Sequence, residues 1–162
     1  MGNSTEPLEE AQRCFQEAYQ HQMRGNLDTA IALYKKSLEL QPTAEAHTFL
    51  GWTYSFQGRL NDAIAECRRA IALDPEFGNP YNDIGAYYIE MQRFDEAIPW
   101  LKKAMDAGRY ASHHYPHANL ARVYEAKGMW REALCEFRAA LAIEAGYPPA
   151  TQGIARLQGL LN

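Results

Sequence analysis

One motif recurs along this chain of 162 residues, and its spacing constrains the fold more than any other feature. The stretch GNLDTAIALYKKSLELQP ends at Pro42, and a closely similar stretch, GRLNDAIAECRRAIALDP, ends at Pro75. The alanine that follows each turn recurs at intervals of 33, 34 and 36 residues, as Ala30, Ala63, Ala97 and Ala133. Such a period predicts an array of repeated units instead of one irregular core.

Other positions keep the same three intervals, so whole units are repeated. One column contains small residues: Ala18, Gly51, Gly85 and Ala121. Two further columns contain rings or bulky apolar residues: His21, Tyr54, Tyr88 and Tyr124, then Leu27, Leu60, Phe94 and Trp130. Two helices approach to about 8–10 Å only where the side chains at their crossing are small. The small column therefore predicts where the two helices of each unit cross, for example Gly51 against Ala63.

Each unit is predicted to contain two helices, because apolar residues recur at three- and four-residue steps. Glycine supplies the backbone freedom needed at the turn in three units, at Gly25, Gly58 and Gly128, whereas the third unit has Gln92. Residues with good N-cap side chains follow the turns and are predicted to cap the second helices: Asp28, Asn61 and Asp95.

The repeated pattern resembles the tetratricopeptide repeat (TPR), most closely in FLGWTYSFQGRLNDAIAECRRAIALDP, DIGAYYIEMQRFDEAIPWLKKAM and NLARVYEAKGMWREALCEFRAAL. The resemblance covers about residues 11–145. It implies an all-α fold, a right-handed superhelical α-solenoid of antiparallel helix pairs in one domain. The expected divisions are a lead-in at 1–10, repeats at 11–43, 44–77, 78–113 with an expanded loop, and 114–147, and a capping helix at 148–162. In that last helix, Ile154, Leu157 and Leu161 are expected to cover the open end of the array.

Several reactive residue types fit packing better than chemistry. The cysteines, Cys14, Cys67 and Cys135, fall in or beside packing faces and are expected to be buried thiols. Their odd number and wide spacing argue against a disulfide framework and favour a reducing, cytoplasmic compartment. His21 lies in the ring column and is expected to be a packed core residue.

The only metal-like cluster is SHHYPH, with His113, His114 and His117. A zinc site needs three or four ligands, and no Cys or carboxylate is obviously near in the sequence, so an expanded inter-repeat loop is the preferred interpretation. We expect no metal and no cofactor. The chain also has no phosphate loop or nucleophile elbow, so we expect no enzymatic activity. The formal net charge of −4 without a basic patch argues against nucleic acid, and no apolar run approaches the length of a membrane span.

The first helices of the first two units carry an apolar stripe beyond their packing faces. It comprises Phe15, Tyr19, Met23, Phe49, Trp52 and Phe56. In the TPR family these columns line the concave side, so the resemblance implies an aromatic peptide-binding groove, with Trp52 expected at its centre. The corresponding part of the later units is polar and comprises Asn79, Asn82, Asp83, Asn119 and Arg122.

These features predict a protein–protein interaction scaffold or adaptor that binds a partner peptide or helix, extended or helical, in this groove. A self-associating structural TPR protein, with a homo-oligomer, and a small secretion-type chaperone stay open as alternatives. The stripe aromatics also fit simple packing between neighbouring helices. Some TPR co-chaperones grip a C-terminal carboxylate with a basic clamp, but none of the corresponding positions here is basic: Phe15, Tyr19, Phe49, Asn79 and Asp83.

Overall fold

The computed structural model describes residues 5–161, and that range is nearly all helical. Its helices are α1 (Glu6–Met23), α2 (Leu27–Leu40), α3 (Ala44–Phe56), α4 (Leu60–Leu73), α5 (Asn79–Glu90), α6 (Phe94–Asp106), α7 (His114–Ala126), α8 (Trp130–Ile143) and α9 (Pro148–Leu161). The all-α fold predicted from the repeat is confirmed. Residues 1–4 of the expected lead-in lie outside the described range, and α1 begins at Glu6 with Pro7 in its first turn.

The chain divides into two compact units, one ending at Pro80 and one beginning at Tyr81. In unit 1, α1 packs on α2, α2 on α3, and α3 on α4. In unit 2, α6 packs on α7, α7 on α8, and α8 on α9, while Gly85 of α5 lies against Leu101 of α6.

The turns between paired helices close through a residue in the left-handed region. Gly25, Gly58 and Gly128 have φ of 80°, 72° and 73°, as the sequence predicts. Gln92 adopts the same conformation, with φ of 59°, and the Arg93 amide donates to the Tyr88 carbonyl at 2.8 Å. A side chain costs about 1–2 kcal/mol in this region. The hydrogen bonds of the turn are therefore retained in the third unit at the expense of local strain.

The predicted N-caps are wrong by two residues, because the second helices begin at the bulky residue before each polar one. The N-cap positions are Asn26, Arg59 and Arg93, and none makes a side-chain capping bond. Asp28 and Asp95 instead lie in the first helical turn, where a carboxylate interacts favourably with the positive end of the helix dipole. Asn61 likewise lies inside α4.

Small residues bring the paired helices into contact, as the sequence predicts. A Cβ atom added at Gly51 would lie 2.9 Å from the Ala63 carbonyl oxygen and 3.3 Å from the Cys67 sulfur. At Gly85 the added atom would lie 2.4 Å from a methyl carbon of Leu101. The α3–α4 crossing is thus a backbone contact, whereas Leu101 fills the equivalent space beside α5.

Three burial predictions need correction. Cys14 and Cys67 are buried, but Cys135 is exposed because it lies off the α8 face formed by Ala133, Phe137 and Ala140. His21 is only partly buried, with its Nδ1 atom 3.4 Å from the Asn26 side-chain nitrogen. Leu161 is exposed at the last residue of α9.

Helix α9 covers α8 through a close contact that the sequence did not indicate. The ring of Phe137 lies against Gly153, where an added Cβ atom would be 2.4 Å from the ring. Leu157 is fully buried in the same cluster, and Ile154 packs partly against it. Leu157 and Ile154, two of the three predicted covering residues, therefore contribute. The absence of a side chain at Gly153 lets α9 lie close to the Phe137 ring.

The Gly51 contact predicts that Gly51→Leu destabilises the fold by about 3 kcal/mol or more, because a backbone carbonyl cannot move aside for a side chain. Urea unfolding measures this change. Gly159→Leu is the matched control, since that helical glycine faces open space and should tolerate leucine. An unchanged unfolding midpoint for Gly51→Leu would contradict the crossing.

Deletion of Pro149–Asn162 is expected to lower both the thermal midpoint and the solubility, because it exposes Phe137. Burial of one leucine such as Leu157 contributes about 1.5–3 kcal/mol. The control is deletion of Leu160–Asn162 alone, which removes only exposed described side chains and should leave the midpoint unchanged. If the chain that lacks Pro149–Asn162 is monomeric and as stable as wild type, α9 does not protect α8.

Candidate functional site

Phe49 is the centre of an aromatic cluster in unit 1. Its ring centroid lies 5.3 Å from Phe15, 5.8 Å from Tyr19 and 5.8 Å from Trp52, each with the rings close to perpendicular. Tyr34 of α2 lies 6.3 Å away on the inner side. Edge-to-face pairs of this kind contribute about 0.5–1.5 kcal/mol each beyond the area that they bury. The structure therefore brings together residues that the sequence placed in one stripe on two helices.

The outer edge of this cluster is open to solvent. Trp52 contacts Phe56 at 5.2 Å between centroids, and Trp52 itself is partly buried. Tyr19, Met23 and Phe56 are exposed by 42%, 50% and 52%. We call Tyr19, Met23, Phe49, Trp52 and Phe56 the aromatic face. Phe15 is partly buried like Phe49 and contacts both Phe49 and Tyr34, so these two rings also serve the packing between helices.

Tyr34 supports the aromatic face from below, a role that no pattern in the sequence indicates. It is fully buried, contacts Phe15 at 5.5 Å, and donates its hydroxyl hydrogen bond to the Gln22 side-chain oxygen at 2.7 Å. Burial raises the pKa of the Tyr34 phenol well above its usual range. The hydrogen bond to Gln22 and the complete burial hold the Tyr34 ring in one position. Phe15 and Phe49 pack against this ordered ring.

The predicted polar residues of unit 2 form a chain of hydrogen bonds between α7 and α5. Arg122 donates to the Asn119 side-chain oxygen at 3.2 Å, and the Asn119 amide nitrogen donates to the Asn82 oxygen at 3.0 Å. Asn82 is buried, Asn119 is partly buried and Arg122 is exposed. Asn79 is exposed at the first residue of α5, before the point at which unit 2 begins at Tyr81.

Asp83 lies beside this chain and has an unusual environment for a carboxylate. Burial raises the pKa of the Asp83 carboxyl to about 7, although a hydrogen bond from the Asn82 side chain acts in the opposite direction. The Asp83 charge also contributes, after burial, to the raised pKa of Tyr110. A carboxyl of this kind can change charge near neutral pH.

The three histidines of SHHYPH face different partners. His117 lies 2.6 Å from the Glu136 carboxylate, whereas the His114 ring packs edge-on to Tyr147 at 4.9 Å and the His113 ring lies 5.2 Å from Tyr110. Within residues 5–161, no group of three or more His, Cys, Asp or Glu side chains is placed to hold a metal ion.

The structure is that of a helical repeat protein, because its helices pack in pairs that cross at small residues and a final helix covers the last pair. Sequence comparison identifies the class of repeat. Two models of the tetratricopeptide repeat match residues 44–77 and 77–143. The chain belongs to the tetratricopeptide repeat family and has the fold of a protein-interaction scaffold. Over the described range, no helix combines the length and apolar character needed to cross a membrane.

Similar proteins include the type IV pilus assembly protein PilF of Pseudomonas aeruginosa, which is 30% identical over 101 residues, or 62% of this chain and 40% of PilF. A solved structure of Pseudomonas aeruginosa PilF superposes with a TM-score of 0.89 at 24% identity, covering 96% of this chain and 70% of that one. The structure of YrrB, described as a TPR protein with an unusual peptide-binding site, has a TM-score of 0.67 at 21% identity and covers 91% and 76%. This chain spans less than half of the length of the curated relatives.

The Asp83 environment predicts a pH effect on stability. Because the folded pKa is raised above the ordinary value of 3.8, the folded state binds the proton more tightly, and stability falls as pH rises from about 4 through about 7. Asp83→Asn should remove this decline and raise the free energy of unfolding at pH 8 by about 2 kcal/mol or more. Urea unfolding across this pH range measures it.

The control for that experiment is Asp106→Asn, which changes an exposed aspartate on α6 and should keep the wild-type pH profile. If Asp83→Asn and wild type lose stability in parallel between pH 4 and 7, the carboxyl is not desolvated as described.

Proposed function

We propose that this protein is a non-enzymatic scaffold whose aromatic face binds an apolar segment of a partner protein. The observation that carries the proposal is the solvent exposure of Tyr19, Met23 and Phe56 on a cluster of packed rings. Exposed apolar patches of this kind mark interaction surfaces. The TPR resemblance supports the proposal, because it assigns these columns to the ligand-binding side of the fold.

The packing beneath the aromatic face suits it to binding. Phe49 contacts Phe15 and Tyr34, so the exposed rings rest on side chains that are already ordered. A partner that binds preordered rings loses less conformational entropy than one that must order them. Trp52, half-buried between Phe49 and Phe56, has the residue type and position of an interface hot spot.

The polar chain of unit 2 is proposed as a second contact surface. Asn82 and Asn119 carry amide groups that both donate and accept, which suits the backbone of a peptide. Arg122 is exposed at the outer end of that chain and can receive a partner carboxylate.

The similarity to PilF supports a role in the assembly of a multiprotein structure, because PilF is described as a pilus assembly protein. The partner would then be a structural or secreted protein, which is compatible with the chaperone alternative.

The test begins with a phage-displayed library of random twelve-residue peptides selected on the wild-type protein. Affinities of the enriched peptides are then measured by fluorescence anisotropy for Tyr19→Ala, Phe56→Ala and Trp52→Ala. Each substitution should weaken binding about tenfold or more, since truncation of an interface hot spot costs about 2 kcal/mol. Tyr19→Ala and Phe56→Ala should lower the thermal midpoint only slightly, because each loses one ring contact worth about 0.5–1.5 kcal/mol and both side chains are half exposed.

Leu73→Ala and Ile143→Ala are the matched controls, because they truncate equally exposed apolar side chains outside the aromatic face. Unchanged binding by all three face variants would remove the proposal. For Trp52→Ala, a loss of about 3–5 kcal/mol in stability, typical of a core truncation, would place that ring in the core instead.

A further inference from the structure

A cavity of about 290 Å³ lies in unit 1 beside Phe15, and the proposed aromatic face does not account for it. Its apolar wall is formed by Leu8, Ala11 and Phe15 of α1. The opposite side is formed where α2 ends and α3 begins, by Gln41 and Glu45.

The cavity has the size and lining of a site for one bulky side chain. Apolar cavities of about 150 Å³ already accept a benzene ring, so 290 Å³ accommodates a leucine, methionine or aromatic side chain. The Ser37 hydroxyl, which also lines the cavity, already donates to the Ala11 carbonyl at 2.7 Å. Leu8, by contrast, is 45% exposed and offers apolar surface that a ligand can cover.

The cavity adjoins the aromatic face through Phe15. That residue lines the cavity and contacts Phe49 at 5.3 Å, so one bound segment can place a side chain in the cavity and continue over the face. Gln12 and Gln16 of α1 also line the cavity. Their amide groups can donate to and accept from the backbone of such a segment.

The charge of unit 1 indicates which type of residue should lie next to the apolar side chain in a bound segment. Residues 1–80 contain eleven Asp and Glu against seven Lys and Arg, whereas residues 81–162 contain nine of each. The whole formal charge of −4 therefore belongs to unit 1. Glu45 lines the cavity, and Glu6 and Glu9 lie in the first turn of α1 next to Leu8. Glu10, in contrast, is already bound by Lys36 at 2.7 Å.

We propose that this cavity anchors a bulky apolar side chain of the partner segment, and that a lysine or arginine next to the anchor is bound by Glu45 and the acidic first turn of α1. The inference rests on the proposed function and names the chemistry of its ligand. Glu45 can take this role alongside its other interactions, because a carboxylate accepts several hydrogen bonds.

The experiment uses the same random peptide library and two cavity variants of the full chain. Peptides selected on wild type should share a Leu, Met or aromatic residue within a few positions of Lys or Arg. Leu8→Gln should weaken their binding about tenfold, because it removes apolar contact from the anchor. Glu45→Gln should weaken it about threefold to tenfold at low salt and less at 0.5 M salt, because salt screens the charge contact.

Leu73→Gln and Glu39→Gln are the matched controls, since they make the same chemical changes in unit 1 away from the cavity and should not alter binding. Peptides that lose affinity with Trp52→Ala but bind Leu8→Gln and Glu45→Gln normally would overturn the anchor and leave the proposed function standing. Failure to select any peptide would overturn both. Self-association that Leu8→Gln abolishes would place a second copy of the chain in the cavity and overturn the basic ligand.

Discussion

The contact between the two helix backbones of a pair is the constraint on which the remaining structure depends. At Gly51 the first helix lies against the Ala63 carbonyl with no room for a side chain. The large residues of α3 therefore lie beside this point of contact and not at it. Tyr54 is buried on the inner side, and Trp52 is displaced to the solvent side, where it joins Phe49. The crossing thus determines which positions of α3 point away from α4, whereas the aromatic residues that occupy positions 49, 52 and 56 are a separate feature of this chain.

The sequence predicts the parts of this structure that repeat and misses the parts that occur once. Four copies of a column identify the crossings and the turns, including the position where Gln92 replaces glycine. Tyr34 reaches Phe49 only because α2 and α3 pack together, and no spacing within one helix reports that contact. The exposure of Cys135 follows from the rotation of α8, which a column of apolar residues defines only coarsely. The raised pKa of Asp83 likewise depends on desolvation by surrounding atoms.

One pair of columns shows how much chemical variation the scaffold accepts. His47 lies 2.6 Å from Glu66 in unit 1, and His117 lies 2.6 Å from Glu136 at the equivalent positions of unit 2. The intervening helix pair fills these positions with rings that contact at 6.2 Å, Tyr81 and Trp100. A paired polar contact and an apolar contact of similar volume often contribute comparably to stability, since desolvation offsets the attraction of the charges. Such columns can therefore change without loss of the fold.

Membership of the family determines the residue types at the helix crossings and leaves the solvent-facing residues open. Small residues at the crossings are required by backbone contact, so they define the tetratricopeptide repeat fold and carry no information about a ligand. Tyr19 and Met23 face solvent, and the crossing places no demand on their identity. Their large apolar side chains expose surface that water solvates poorly, which favours association and lowers solubility unless a partner covers it. Partner specificity in this chain should therefore be sought in these solvent-facing columns and in the acidic surface of unit 1, and not in the repeat motif itself.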